Sequence, residues 1–289
     1  MKSVDVLVAV RNEEKTIPGF INEFNNLVPD GINLDIIFLE DGSSDGTVAL
    51  LRNLSRKLSN VNYISLDNKY GQYAALTYGL SLSKADAVIT MDVDGGHPIQ
   101  TAIEMIKSYL NGNNLVQGHR IIYKRKKFYR TIMSYAYNLF FYIIVGVNFF
   151  EQNVMFRLMD RSTKEKFLSN KNWWHIFKTN FKNKEGIITA YIKYEAPERE
   201  LGESKYNFFR LFKLSYKSFF SLLSVYRLII INIVLAVLLL LTAKYVSVIL
   251  SILVLIILLI INLSYFLIVK HYPIHELKII STSLPELRK

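Results

Sequence analysis

Short apolar runs alternate with amphipathic stretches over the first 119 residues, and the chain turns almost purely aliphatic after Arg227. The runs at 4–10, 34–39, 61–66, 87–91 and 115–117 have the β-branched character of buried strands. Helical patterns fall between them. Thr16 stands as a cap with Pro18 in the first turn, and Asp45-Gly46-Thr47 opens a helix running to about Lys57. Two more are predicted from Gly71 to about Ser83 and from Pro98 to about Leu110. Repeated β-α units imply a largely parallel sheet with helices on both faces. Such sheets bind ligands at the carboxyl ends of their strands, where Glu40-Asp41-Gly42-Ser43 and Asp92-Val93-Asp94 both fall.

The aliphatic end has its own logic. Sixteen uncharged residues separate Arg227 from Lys244, and 25 separate Lys244 from Lys270. A bilayer core needs about 20 apolar residues. The second segment meets that length. The first reaches it only if Val225 and Tyr226 extend it and the flanking Arg227 and Lys244 snorkel. The expectation is a transmembrane hairpin over 227–270, hence a multi-pass inner or plasma membrane protein. No basic segment followed by a long apolar stretch opens the chain, so the first 219 or so residues are expected on the cytosolic side.

Charge sharpens this picture. Lys+Arg number 9 against 14 Asp+Glu in residues 1–119, 21 against 8 in 120–227, and 5 against 2 beyond. The basic excess lies just before the apolar segments, as expected for a surface facing anionic headgroups; no nucleic-acid partner is expected. Lys124-Arg125-Lys126-Lys127 leads into an aromatic-rich stretch ending near residue 150, which reads as a membrane-interface helix. An ordinary core helix with a solvated basic end is the other reading. A second such stretch, 206–226, reads as a juxtamembrane amphipathic helix. The absence of cysteine excludes disulfides and thiolate metal sites. The domain plan is a catalytic domain over 1–205, the helix at 206–226, the hairpin, and a cytosolic tail over 271–289.

Two acidic groups carry the candidate chemistry. Asp41, in a strand-to-helix turn, can accept hydrogen bonds from a base or ribose, and the following helix start favours anions; Asp-Gly-Ser turns are also common caps. Asp92 and Asp94, two residues apart in an extended loop, can aim both carboxylates at one hard cation such as Mg²⁺ or Mn²⁺. Gly95 and Gly96 allow close backbone approach.

The ordered set resembles the family-2 glycosyltransferases of the GT-A fold, and within them the polyprenyl-phosphate sugar transferases of the dolichyl-phosphate mannose synthase and bacterial GtrB-like group. The residues that carry the resemblance are Asn12-Glu13-Glu14, Glu40 to Thr47, Asn68 with Gly71-Gln72, Asp92-Val93-Asp94 with His97-Pro98, Gly118-His119-Arg120, Phe156 to Arg161, and Arg199 with Gly202 and Ser204-Lys205-Tyr206. The resemblance implies a Rossmann-like GT-A domain followed by interfacial helices and two C-terminal transmembrane helices. It implies an inverting, metal-dependent hexosyl transfer from a nucleotide sugar, UDP-glucose-like, to polyprenyl phosphate. It assigns Ala9, Glu13, Asp41, Gln72 and Asp92 to the nucleotide, and Asp92 and Asp94 to the metal. Arg120, Arg130, Ser134, Arg199 and Lys205 go to the acceptor phosphate, with Asp92, Asp94 and Arg120 catalytic. A homo-oligomer, a tetramer, is implied as well.

Three positions depart from the family pattern. Ala9 stands where Pro is usual, Gly96 where a Gln helps hold the metal, and Met155 where an Asp serves as a proposed base. A lipid phosphate, with a second pKa of about 6, is already largely anionic at neutral pH, so its attack needs positioning more than a base. A family member acting on a glycolipid or polymer is one alternative, and a non-catalytic relative with a binding role is another. Trp173 and Trp174 are the only tryptophans and neither follows an arginine, unlike the Gln-x-x-Arg-Trp block of processive synthases.

Overall fold

The computed structural model describes residues 1–27, 29, 31–121, 128–145, 155–169, 186–195, 216, 219–220, 223–245, 248–270 and 278–284. Strands β1 (Lys2–Val10), β2 (Ile32–Glu40), β3 (Val61–Leu66), β4 (Ala87–Met91) and β5 (Leu115–Ile121) alternate with helices α1 (Ile17–Leu27), α2 (Thr47–Lys57), α3 (Gln72–Leu82) and α4 (Ile99–Leu110). After them come α5 (Phe128–Val145), β6 (Arg157–Asp160), α6 (Arg161–Leu168), β7 (Thr189–Glu195), α7 (Val225–Tyr245), α8 (Val248–Lys270) and β8 (Ile279–Thr282).

The strands form one sheet in the order β7-β5-β6-β4-β1-β2-β3-β8. β1 lies parallel between β2 and β4, with Val4 opposite both Leu34 and Ala87. β6 runs antiparallel between β4 and β5, and β8 runs antiparallel along β3. The α/β class and the mostly parallel sheet therefore match expectation. Burial on both faces explains the continuous apolar runs. Val4, Val6, Val8 and Val10 of β1 share one core with Ile17, Phe20 and Phe24 of α1. On the other face α3 lies against the sheet at Gly79, where an added Cβ would come 2.5 Å from Leu39 Cδ1.

Residues Met1–Lys124, Gln152–Gly202 and Ile274–Lys289 make one compact unit, and Arg125–Glu151 with Glu203–Pro273 make another. The first unit holds the sheet. Its β8 comes from the stretch read as a tail: Thr282 Oγ1 donates to the Tyr63 carbonyl at 2.9 Å, and Tyr63 N donates to Ser283 Oγ at 2.8 Å. In the second unit α7 packs along α8, and Asn232 and Asn262 exchange amide hydrogen bonds of 3.1 and 2.8 Å. Tyr135, Phe140, Tyr142 and Ile143 of α5 are exposed. The expected helix at 206–226 lies mostly outside the described residues.

The expectation of two membrane-crossing helices, and with it a multi-pass localisation, is corrected. Among the described residues only Val248–Leu267 of α8 is long and apolar enough to cross a membrane. Val225–Leu241 of α7 is a shorter apolar stretch. At about 1.5 Å per residue it reaches ~25 Å, less than the ~30 Å hydrocarbon core. Snorkelling was to supply the missing length, but Arg227 Nη1 donates to the Ile143 carbonyl at 2.8 Å and is held against α5.

Candidate active site

The loops after β1, β2 and β4 meet at the carboxyl edge of the sheet, because these strands are parallel neighbours. The first two loops interlock. Ser44 N donates to Asn12 Oδ1 at 2.8 Å, and Asn12 N donates to Ser43 Oγ at 3.0 Å. Asn12 adopts φ +57, a left-handed conformation that asparagine tolerates. Glu13 N donates to Thr47 Oγ1 at 3.0 Å, and its carboxylate accepts from Thr16 Oγ1 at 2.6 Å. Glu14 Oε2 accepts from Gly46 N at 2.8 Å and Asp45 Oδ1 from Thr47 N at 3.1 Å. The start of α2, read as an anion site, is thus already met by two carboxylates of the chain itself. Ala9 sits on β1 beside Leu39 of β2.

Asp41 is 4% exposed. Its carboxylate accepts from Tyr70 N at 2.6 Å and from Gly71 N at 2.9 and 3.1 Å. Burial pushes its carboxyl above the ordinary range; those backbone donors and the charges of Arg11 and Lys69 oppose the rise. Asp41 thereby holds the turn that precedes α3. Gly71, at φ +96, allows that turn, and Gln72 starts the helix. Gln72 Nε2 donates to Asp92 Oδ1. Asp41, Gln72 and Asp92 are therefore linked through two short steps.

The chain bends after β4: Val93 is buried, Asp92 half-buried and Asp94 exposed. Asp94 Oδ1 accepts from Gly96 N at 3.0 Å, and a Cβ at position 96 would lie 2.9 Å from that oxygen. Gly95 turns the chain with φ +76. Asp92 N donates to His97 Nδ1 at 2.9 Å. Burial pushes the His97 imidazole below its ordinary pKa, Asp92 and Asp94 pull it up, and Arg120 lowers it further.

Arg120 is exposed near the end of β5, opposite Tyr194 of β7. Tyr194 itself is buried, and burial pushes its phenol up to about 12. Arg157, on β6, is fully buried with its guanidinium 5.8 Å over the Phe167 ring; burial lowers its pKa to about 10. Sequence reasoning gave Tyr194 and Arg157 no role. The alternation of Tyr191, Ile192, Lys193 and Tyr194 was the available signal for a strand carrying Tyr194.

The structure thus brings Asp41, Gln72, Asp92, Asp94 and Arg120 to one edge, with Glu13 in the adjoining loop. Arg130 and Ser134 lie on α5, in the second unit, with only their backbone described. Arg199 and Lys205 lie outside the described residues. The donor set fits a hard divalent cation: two acidic side chains at a strand end, oxygen ligands of the kind Mg²⁺ and Mn²⁺ take. Among the described residues no third His, Cys, Asp or Glu joins them as a ligand group.

The sequence profile of glycosyl transferase family 2 matches residues 5–189. The bactoprenol glucosyl transferase of Shigella phage SfV is 31% identical over 219 residues, spanning 73% of this chain and 69% of that protein. The undecaprenyl-phosphate 4-deoxy-4-formamido-L-arabinose transferase of Aeromonas hydrophila is 26% identical over 221 residues, spanning 75% of this chain and 66% of that protein. The crystal structure of glucosyl-3-phosphoglycerate synthase from Mycobacterium tuberculosis, in complex with Mn²⁺, uridine diphosphate and glucosyl-3-phosphoglycerate, superposes with a TM-score of 0.50 at 17% identity. It covers 76% of this chain and 78% of its own, a likeness of fold. With that profile matching most of its length and a relative 31% identical over 219 residues, the chain belongs to glycosyl transferase family 2 and is a glycosyltransferase.

Proposed function

We propose that this glycosyltransferase moves one hexose from a UDP-glucose-like nucleotide donor to polyprenyl phosphate at a bilayer surface. The observation that carries the reading is the convergence of Asp41, Gln72, Asp92 and Asp94 at one sheet edge. The bactoprenol and undecaprenyl-phosphate relatives supply the acceptor class. The Asp41 loop and Gln72 receive the nucleotide. Asp92 and Asp94 are the residues that would hold Mg²⁺ or Mn²⁺, which when bound supplies positive charge beside the donor's diphosphate.

A phosphate oxygen of the acceptor forms the new bond to the anomeric carbon as the bond to the nucleotide's terminal phosphate oxygen breaks, inverting that carbon. Nucleoside diphosphate leaves. Exposed Arg120 pairs with the acceptor phosphate; for Arg130, Ser134, Arg199 and Lys205 that role rests on the family resemblance alone. The apolar surface of α8, exposed along Val248–Leu267, seats the chain in lipid. Assembly as a homotetramer rests on the family resemblance alone.

The test uses the purified full chain in vesicles containing undecaprenyl phosphate, with a panel of sugar nucleotides and lipid mass spectrometry. A hexosyl-phospho-undecaprenol with release of nucleoside diphosphate is expected. Transfer only to a glycolipid or a growing polymer would replace this reading.

A further inference from the structure

Beneath the Asp92–Asp94 loop, His97 is 7% exposed and accepts the Asp92 backbone N–H on Nδ1 at 2.9 Å. An N–H can be accepted only by a nitrogen with a free lone pair, so Nδ1 carries no proton and a neutral ring has its hydrogen on Nε2. The ring is held from two sides. It stacks on Phe156 at 4.6 Å with planes 16° apart, and Tyr194 meets it edge-on at 6.1 Å. Phe156 and Tyr194 are themselves packed edge to face at 5.4 Å. Gly118 of β5 leaves room for this trio, since a Cβ there would come 2.8 Å from Phe156 and 2.9 Å from Tyr194. Phe156 and Tyr194, from two distant segments, therefore meet on one imidazole, and its single described hydrogen bond goes to the residue that begins the acidic pair.

We propose that His97 is a positioning residue for the divalent cation: by holding the Asp92 backbone against the Phe156–Tyr194 platform, it presents the Asp92 and Asp94 carboxylates together. It touches neither sugar nor phosphate in this role. The inference rests on reading Asp92 and Asp94 as the cation site. Groups that orient metal ligands from behind typically alter metal affinity about 10–100-fold when removed.

Two substitutions separate the acceptor atom from the ring. His97→Asn places an oxygen near the Nδ1 position and removes the ring. His97→Phe keeps the ring and removes the acceptor. The readout is Mn²⁺ binding to the purified full chain with uridine diphosphate, followed by electron paramagnetic resonance of free Mn²⁺, alongside thermal unfolding. His97→Asn is expected to bind within about threefold of wild type and His97→Phe at least ~10-fold more weakly, although His97→Asn loses more packing and melts no higher. Wild-type Mn²⁺ affinity in His97→Phe, or equal losses in both variants, would overturn the proposal. If His97→Phe does not fold, His97→Leu replaces it: Mn²⁺ binding at least ~10-fold weaker than that of His97→Asn supports the role of the acceptor atom, and wild-type binding refutes it. Asp94→Ala separates the two levels. If it keeps wild-type Mn²⁺ binding, the cation site itself is misassigned and the proposal falls with it; if it loses binding while His97→Phe does not, only the role of His97 is wrong.

Discussion

Thr90 Oγ1 donates to the backbone carbonyl of Met155. Thr90 is the penultimate residue of β4, two before Asp92, so this bond holds position 155 beside the acidic loop. Met155, whose thioether cannot take a proton, stands there in place of the Asp usual in the family. If the acceptor is a phosphate monoester, its oxygen is already ionised and no base is missing. Met155→Asp should then leave the rate within a few-fold of wild type, not raise it by the ~10² or more that restoring a required general base gives. Arg120→Ala should lower it far more, because it removes a charge-assisted contact to that phosphate. Initial rates at saturating sugar nucleotide, across pH 5.5 to 8, check both. A large gain in Met155→Asp would mean that the acceptor needs deprotonation, and would point away from a phosphate.

Asp94→Ala should lower turnover by ~10² or more, because removing a hard oxygen ligand leaves the diphosphate charge uncompensated. Asp94 is exposed and accepts locally from Gly96 N at 3.0 Å, and substitutions of exposed side chains usually change stability little, so the melting temperature should hardly move. Turnover as a function of Mn²⁺ concentration, with melting measured in parallel, tests this. Near-normal metal-dependent activity would remove Asp94 from the site.

Asp5 predicts a pH dependence of stability unconnected with catalysis. It is 8% exposed on β1 and accepts from Ser83 Oγ at 2.5 Å. Burial raises its pKa, Asp35 adds to the rise, and the Ser83 bond and Lys164 oppose it. An acid whose folded pKa lies above its unfolded value penalises folding above the folded pKa. The penalty fades as pH falls through that value toward the ordinary 3.8. Asp5→Asn removes the ionised form while keeping an oxygen for Ser83. Its melting temperature should exceed that of wild type at pH 7, and the gap should close as the pH is lowered. A constant gap would show that packing, not ionisation, sets the difference.

The reciprocal amide pair of Asn232 and Asn262 predicts non-additivity. Asn262 Nδ2 also donates to the Leu258 carbonyl at 2.8 Å, so one amide is tied to its own helix as well as to α7. Either single change to Leu strands a polar amide between apolar helices, at a cost of roughly 0.6–2 kcal/mol. Changing both removes donor and acceptor together, which is far less costly than leaving one unmet. A double-mutant cycle on unfolding in bicelles should show the double variant losing clearly less than the sum. Simple additivity would mean that the two amides do not stabilise one another.

What the sequence determined by itself is what depends on near neighbours. The strands β1 to β5 and the helices between them follow from local apolar period and turn residues, and so does the placing of Asp41, Asp92 and Asp94 at strand ends. Tertiary structure decided whatever depends on partners far along the chain. β6 and β8, four residues each, acquire strand character by pairing with β4 and β3, contacts that no local pattern encodes, and β7 finds its place only by pairing with β5. The start of α2 looked open to an anion until the fold delivered Glu14 to Gly46. A second crossing by α7 needed extension and snorkelling, but its apolar stretch is only Val225–Leu241 and Arg227 is tied to Ile143 of α5. The link from Gln72 to Asp92 has the same origin, since it joins the loops of different strands, whereas the bond from Asp92 to His97 lies within one loop and only the seating of the His97 ring on Phe156 and Tyr194 depends on distant segments.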